Sequence, residues 1–391
     1  MSEDATQTPF DRVALVGAMV TLAGATALPF VELRANRLVP GTVHSLAAAG
    51  AWTYGVWALV GLALFSAVAP GAKVRSATST AGAYGLVAVV AWALGEAARA
   101  LLEGQSAISR VSIGAGAWVI LLGAVIIGFA GGLERKRFAL RRLGPPVVLV
   151  AALVAAIMWG GLDRISLARE FEVRADSFWQ LLGGHLALSG AGVALGALIG
   201  MPLGLWATRN RHVRAVVLGI TGVIQTVPSL ALLGLLIIPL SAIGNAVPFL
   251  RSLGVRGIGA APGLVALTLY ALLPIVRNTY VGLSEVDPAA LDAGRGMGMS
   301  AGQLLMRVEL PLALPLIMEG LRTAAVLLIG ITTLTVFAGA RNLGILIFEG
   351  LGQFAPDLIL LGALPIIALA VVVDVALSAL ARVLTPEGVR A

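Results

Sequence analysis

The chain has no cysteine and very little lysine, and each shortage excludes a class of site. Without cysteine it can form neither a disulfide nor a thiolate metal site. The lysines are Lys73 and Lys136, and neither lies in a glycine-rich GK[ST] phosphate loop, so the chain cannot build that kind of ATP site itself. The histidines, His44, His185 and His212, are too dispersed for a recognisable metal signature. We therefore expect no metal, no cofactor and no catalysis by this chain alone.

Charged residues are scarce as well. They make up 12% of the sequence, whereas hydrophobic residues make up 59%, and the mean hydropathy is +0.96. Water cannot cover so apolar a surface, so we expect the lipid bilayer to be the main solvent of the chain. The net charge of +7 does not indicate nucleic acid, because arginine in a membrane protein commonly marks cytoplasmic loops that face anionic lipid.

Long apolar runs predict an all-α polytopic membrane protein with about ten transmembrane helices. In the first half the runs lie at about 13–30, 46–69, 81–102, 112–132 and 145–161, and in the second half at about 178–207, 214–240, 258–283, 313–338 and 357–384. We expect two membrane regions of about five spans each, at 1–170 and 171–391. The densest charge run, 163–176, separates them, and we interpret it as an exposed linker on the outer face.

Basic residues set the expected orientation. Lys73, Arg75, the runs 135–142 and 209–214, and Arg295 all fall on one face of a ten-span topology. By the positive-inside rule this face is cytoplasmic, and an even number of spans places both termini there.

Polar side chains interrupt two spans of the second half, and each cluster contains a proline. The first cluster is Gln225, Thr226, Pro228 and Ser229, and the second is Tyr270, Pro274 and Asn278. Because proline removes a backbone donor, we expect both helices to kink or unwind. Two interpretations stay open: hydrogen bonds that hold neighbouring helices together, or the lining of a solute pathway. Two kinked polar spans favour the pathway.

Ionisable residues inside other spans need an explanation too. Glu96 and Arg99 lie one helical turn apart, which predicts an ion pair. Asp374 lies deep in the last span, where a charge costs about 2.5–3.5 kcal/mol on insertion scales. We expect it to be paired, protonated or facing a wet cavity.

The polar loop 287–311 carries strong signals for short helices. Asp287 before Pro288 predicts an N-cap with proline at the first helical position. Ser300 with Gln303 predicts a capping box that opens a second helix. Glycines between the two signals each weaken a helix by up to about 1 kcal/mol relative to alanine. A capped but weakened segment indicates a surface that another molecule approaches closely, so we interpret the loop as a docking element.

The same loop resembles the cytoplasmic signature of permease subunits in binding-protein-dependent ABC importers. That signature is Glu-Ala-Ala, three residues, Gly, nine residues, Ile, one residue and Leu-Pro. The matching residues are Asp292, Ala293, Gly294, Gly298, Val308, Leu310 and Pro311. Asp for Glu, Gly for Ala and Val for Ile are the departures. The resemblance implies that these residues couple to a separate ATPase, whose groove receives the loop 284–312, and that Gly298 turns the backbone between two short helices.

Two span segments narrow the resemblance to osmoprotectant permeases, which import glycine betaine, proline betaine, choline or carnitine. They are Ile224-Gln-Thr-Val-Pro-Ser-Leu-Ala-Leu-Leu233 and Leu269-Tyr-Ala-Leu-Leu-Pro-Ile-Val-Arg-Asn-Thr-Tyr280. The resemblance covers about 178–384, and the extra N-terminal spans are similar to those of a longer branch of this family. It implies a five-helix type I ABC importer permease core in a bacterial inner membrane, with the two proline-containing clusters along the translocation pathway.

The resemblance also implies partners. These are two copies of a cytoplasmic ATP-binding subunit, a periplasmic or lipid-anchored substrate-binding protein, and a second copy of the permease or a related permease. Membrane lipid surrounds the assembly, and no nucleic acid is expected.

Two rival functions stay open. An ion-coupled secondary carrier needs a titratable group at its substrate site, for which Asp374 is the candidate, but the loop 287–311 would then have no role. An ABC permease for another small solute, such as an amino acid, is the second alternative.

Overall fold

The computed structural model describes residues 11–36, 39–133 and 162–385. Among these residues, six helices are long and apolar enough to cross a membrane, and further apolar helices are shorter. The described residues form two compact units. The first consists of residues up to Arg174 together with Glu349–Leu361, and the second consists of Ala175–Phe348 and the residues from Gly362 onward. The chain is therefore a multi-pass, mainly helical membrane protein, as predicted.

The first unit contains helices and a small sheet. The helices are α1 Arg12–Thr26, α2 Trp52–Val68, α3 Ala72–Leu102 and α4 Ala115–Leu133. The strands are β1 Val31–Arg34, β2 Thr42–His44 and β3 Arg110–Ile113, which form an antiparallel sheet in the order β2-β1-β3. Val31 lies opposite both His44 and Ile113. The sheet is absent from the sequence prediction because strands this short show too little alternation to be recognised.

Small residues allow α1 and α4 to approach closely. A Cβ at Gly17 would lie 2.7 Å from Cγ1 of Ile127, and a Cβ at Gly24 would lie 2.9 Å from the backbone nitrogen of Ile120. Glycine at such contacts is typical of packed membrane helices. In α3 the predicted ion pair between Glu96 and Arg99 is confirmed, with an N–O distance of 2.7 Å.

The expectation that the charged run 163–176 is an exposed linker is right only in part: Asp163, Arg164, Glu172 and Asp176 are exposed, but most of the run is helical. A helix begins within it at Ser166, and Glu170 is 2% exposed and ion-paired with Arg110 of β3. The hydroxyl groups of Ser166 and Ser112 both donate to Oδ2 of the buried Asp357, at 2.6 and 2.7 Å. The buried charge of this run, Glu170, is thus paired inside the first unit.

The second unit is entirely helical in the part of it that the structure describes. Its helices are α5 Ser166–Arg209 (from Ala175 onward), α6 Arg211–Thr226, α7 Ser229–Ala246, α8 Pro248–Ser252, α9 Ala260–Ser284, α10 Pro288–Gly296, α11 Ala301–Leu304, α12 Leu310–Thr332, α13 Gly344–Gly352 (up to Phe348) and α14 Pro356–Leu384 (from Gly362 onward). A π-helical turn, Leu305–Glu309, joins α11 to α12, and a 3-10 turn, Thr333–Ala338, follows α12.

The predicted spans coincide with helices of the described residues, with three qualifications. At the predicted spans 13–30, 46–69 and 112–132 the apolar helices are shorter than a candidate membrane span. The expected span at 145–161 lies outside the described residues. The expected span at 214–240 is divided: α6 ends at Thr226, and α7 begins at Ser229. Val227 and Pro228 between them have extended ψ angles of 127° and 134°, so the predicted unwinding at Pro228 is confirmed.

A stripe of glycines on α5 packs against α9. The glycines are Gly192, Gly196, Gly200 and Gly204, and the residues that they face are Leu267, Ala271, Ile275 and Thr279. A Cβ at Gly196 would lie 2.4 Å from Cβ of Ala271, and one at Gly204 would lie 2.6 Å from Cβ of Thr279. Both rows repeat every four residues, so the backbones of α5 and α9 stay in close contact over several turns. We refer to this contact as the glycine stripe.

Candidate functional site

The loop between α9 and α12 folds as two short helices, as its capping signals predict. Oδ1 of Asp287 accepts a hydrogen bond from the backbone N–H of Ala289 at 2.9 Å, and Pro288 is the first residue of α10. Oγ of Ser300 accepts from the backbone N–H of Gln303, whose side chain accepts from the N–H of Ser300. Both predicted caps are confirmed. We call the segment from Asp287 to Pro311 the coupling loop.

Gly298 makes the turn between α10 and α11. Its φ angle is 76°, in the left-handed region where any side chain is strained. The N–H groups of Gly298 and Met299 bond back to the carbonyls of Arg295 and Gly294, which closes the end of α10. The turn expected at Gly298 is confirmed, and the positive φ angle explains why a glycine occupies this position.

The signature residues of the two halves of the coupling loop meet around Gly294. This residue is buried, and a Cβ on it would lie 2.6 Å from Cδ1 of Leu304 and 3.7 Å from Cγ2 of Val308. Glycine in place of the alanine of the signature therefore makes room for Leu304. Leu310 and Pro311 open α12, and Leu310 packs against the buried cluster that joins α9 to α12.

The outer surface of the coupling loop combines charge with exposed methionines. Asp292 and Arg295 form an ion pair at 2.8 Å, with 71% and 61% of their side chains exposed. Met297 and Met306 are 71% and 65% exposed, and Ala293 is exposed beside them. Flexible, polarisable methionines adapt to a partner surface. This face has the chemistry of a protein docking surface.

Residues 298–302 also fit the pattern G-x-S-x-G, which in hydrolases marks a nucleophilic serine. A helix precedes the pattern here, whereas the hydrolase motif follows a strand. Oγ of Ser300 accepts from the backbone of Gln303 as a helix cap. The serine is therefore a structural residue of the loop.

Reciprocal hydrogen bonds join the break between α6 and α7 to α9, which itself runs without a break through Pro274. Pro274 has no N–H, so the carbonyl of Tyr270, four residues earlier in α9, loses its helical donor. Nε2 of Gln225 donates to that carbonyl at 2.9 Å. In return, the hydroxyl group of Tyr270 donates to the carbonyl of Val227, at the break between α6 and α7. We call this pair the Gln225–Tyr270 clasp.

The other predicted pathway residues are bonded within their own helices or begin one. The side chains of Asn278 and Thr226 donate to carbonyls four and three residues earlier, at 2.8 and 2.7 Å, and Ser229 is the first residue of α7. The structure therefore brings Gln225 and Tyr270 together across two helices and pairs Asn278 with Pro274 within one helix. Helix-holding hydrogen bonds explain these two residues, while a role of the whole set in a pathway stays a prediction.

Asp374 is paired, which settles the possibilities that the sequence left open. Nε and Nη2 of Arg322 on α12 donate to its two carboxylate oxygens, and Nη1 of the same arginine donates to Glu319 at 3.0 Å. A carboxylate whose two oxygens both accept from one edge of a guanidinium group is a poor candidate for the free titratable group of an ion-coupled carrier.

The chain is similar to known transport proteins along most of its length. Residues 200–387 match the family described as the binding-protein-dependent transport system inner membrane component. The carnitine transport permease protein OpuCB of Listeria monocytogenes is 43% identical over 212 residues, which are 54% of this chain and 88% of that protein. The osmoprotectant import permease protein OsmW of Salmonella typhimurium is 42% identical over 206 residues, which are 53% of this chain and 91% of that protein. This chain belongs to the osmoprotectant permease family.

The permease also carries the extra N-terminal region of the longer branch. Residues 11–168 match the N-terminal domain of the ABC transporter permease YehY. The choline transport system permease protein OpuBB of Bacillus subtilis, by comparison, is 41% identical over 206 residues, which are 53% of this chain and 88% of that protein. A solved structure, the inward-facing MetNI methionine ABC transporter, is 23% identical with a TM-score of 0.46 and covers 55% of this chain and 99% of its own.

Sequence reasoning missed two residues of the permease that the structure shows to be paired. Glu309, inside the signature, is 4% exposed and ion-paired with Arg209 at the end of α5. Arg322 holds Asp374, as described above. Each is a charge beside or within an apolar run, and the signal that could have found them is that such a charge needs a partner of opposite sign.

Proposed function

We propose that this permease is the membrane subunit of an ATP-driven importer of a small quaternary ammonium osmoprotectant, such as glycine betaine, choline, proline betaine or carnitine. The observation that carries the proposal is the 43% identity with a carnitine permease along 88% of that protein. Relatives named for choline and for osmoprotectants in general support the same chemical class. This ATP-driven function is preferred to an ion-coupled carrier because the coupling loop then has a role.

ATP hydrolysis takes place on a separate subunit, and two copies of that subunit dock on the coupling loops of two permease chains. The exposed face with Met297, Met306 and the Asp292–Arg295 pair supports this docking. Closure of the ATPase pair on ATP moves the coupling loops and switches the permease between inward- and outward-open states. The second permease chain is another copy or a related permease.

Solute reaches the outer face on a periplasmic or lipid-anchored binding protein. A quaternary ammonium group suits an aromatic cage, and aromatic residues make up 6% of this chain. We therefore assign the cage to the binding protein. Within the permease, Gln225, Thr226, Pro228, Ser229, Tyr270, Pro274 and Asn278 are proposed to lie along the translocation pathway.

The proposed topology puts the coupling loop and both termini in the bacterial cytoplasm. The basic residues around the coupling loop and at the α5–α6 junction support this orientation through the positive-inside rule. Two membrane regions, 1–170 and 171–391, are proposed as the domains of the chain.

Docking is tested by Gly298→Asp. A side chain at a φ angle of 76° is strained by about 1–2 kcal/mol and changes the turn between the two docking helices. We expect the variant to insert in the membrane but to lose its ATPase in a pull-down from detergent. Gly254→Asp is the matched control, since Gly254 has a φ angle of 88° and lies outside the coupling loop. If Gly298→Asp kept its bound ATPase and imported solute at the full rate, the docking proposal would be wrong.

Substrate class is tested on the cognate binding protein by thermal shift. We expect stabilisation by betaines, choline or carnitine. A response confined to ordinary amino acids would replace the proposed substrate class with the amino-acid alternative.

A further inference from the structure

The buried end of the coupling loop is tied to a distant helix. Glu309 is the last residue of the π-helical turn Leu305–Glu309, and only 4% of its surface is exposed. Its carboxylate pairs with Arg209, the last residue of α5. Single π-helical turns inside helices are frequent at functional sites. The pair therefore joins the point where the coupling loop enters α12 to the end of α5.

We propose that the Arg209–Glu309 ion pair is a positioning joint that makes the coupling loop and α5 move together. This inference rests on the proposed function, because it requires an ATPase docked on the loop. Neither residue touches solute in this account. Both act by fixing one helix to another.

The joint differs from the other ion pair of the loop. Asp292 and Arg295 are both mostly exposed, so solvent and salt screen their attraction. Glu309 is shielded, and removing its partner would leave an uncompensated buried charge. The side chain of Arg209 is 53% exposed, so the shielding of this pair comes from the burial of Glu309. The Asp292–Arg295 pair, which is exposed on both sides, is therefore easier to break than the Arg209–Glu309 pair.

Rigid contacts continue from the joint in both directions. On the loop side, the helical backbone is continuous from Ala301 to Ala338. A displacement of α11 therefore also displaces Glu309 and α12. On the other side, α5 is locked to α9 by the glycine stripe, in which a Cβ at Gly196 would lie 2.4 Å from Ala271. Helix α9 in turn holds the Gln225–Tyr270 clasp. The joint thus connects the docking surface to α9 and to the break between α6 and α7.

The test measures solute imported per ATP hydrolysed in proteoliposomes that contain the permease, its ATPase and its binding protein. The variants are Glu309→Gln, Arg209→Gln and the double variant, with Arg209→Lys as a charge-preserving substitution. Glu103→Gln is the matched control, since Glu103 is an exposed carboxylate at the end of α3. Co-purification of the ATPase and thermal unfolding are recorded for every variant.

We expect each neutral variant to retain its ATPase while uptake per ATP falls about tenfold, within the usual range of coupling between sites. The double variant is expected to be no worse than either single one, because both remove the same pair. Arg209→Lys is expected to restore most of the coupling.

Two results would contradict the proposed role of the Arg209–Glu309 ion pair. One is unchanged uptake per ATP in Glu309→Gln with its ATPase still bound. The other is loss of the ATPase together with loss of thermal stability, which would make the pair a stabiliser of the loop only. A wild-type permease that neither retains an ATPase nor imports solute would instead overturn the proposed function, and the joint with it.

Discussion

A single methyl group at Gly196 tests how closely α5 and α9 are packed. A Cβ at this position would lie 2.4 Å from Cβ of Ala271, whereas carbon atoms pack at about 3.5–4.0 Å, so the two helices have to separate by about 1 Å. Overpacking of this kind costs about 1–3 kcal/mol. The higher helix propensity of alanine offsets up to about 1 kcal/mol of that loss.

Gly190→Ala is the matched control for Gly196→Ala. It lies in the same helix, and no described atom is within 4 Å of the position that its Cβ would take. The control therefore gains helix propensity without a clash. Thermal or denaturant unfolding in detergent should place Gly196→Ala about 1–3 kcal/mol below Gly190→Ala in stability. Equal stability of the two variants would refute the close contact.

Two further substitutions test the polar contacts of the second unit. Tyr270→Phe leaves the carbonyl of Val227 without its donor, and we expect a loss of about 0.6 kcal/mol, up to about 1.7 kcal/mol, in an unfolding titration in detergent; a more stable variant would contradict the clasp. Asp374→Asn weakens a charge-assisted contact with Arg322, and we expect a loss of about 1.5–3 kcal/mol by the same measurement, with ATP-driven uptake of solute retained. Abolished uptake in a stably folded Asp374→Asn would favour a titrating role for this residue.

Much of the helical architecture is readable from the sequence because bilayer thickness imposes a length on apolar runs. Local signals were equally reliable: Asp287, Ser300 and Gly298 each act on neighbouring backbone atoms, so their roles need no knowledge of the rest of the fold. The division at Pro228 follows from its missing donor.

Pairings between residues that are distant in the chain could not be predicted from the sequence. Glu170 with Arg110 and Glu309 with Arg209 are separated by 60 and 100 positions, so periodicity gives no indication of them. The run 163–176 resembles a solvated linker in the sequence because Arg110, the partner of Glu170, lies far away along the chain. Gln225 likewise acquires its role only when the carbonyl freed by Pro274 is placed beside it.

In the proposed function, ATP hydrolysed by a separate subunit drives solute through this chain. This is tested by the uptake of radiolabelled glycine betaine into proteoliposomes, with the ATPase and ATP inside and the binding protein outside. We predict accumulation that requires both partners and persists in the presence of a protonophore. Accumulation that needs no ATPase and collapses with the protonophore would contradict the claim and restore the ion-coupled carrier.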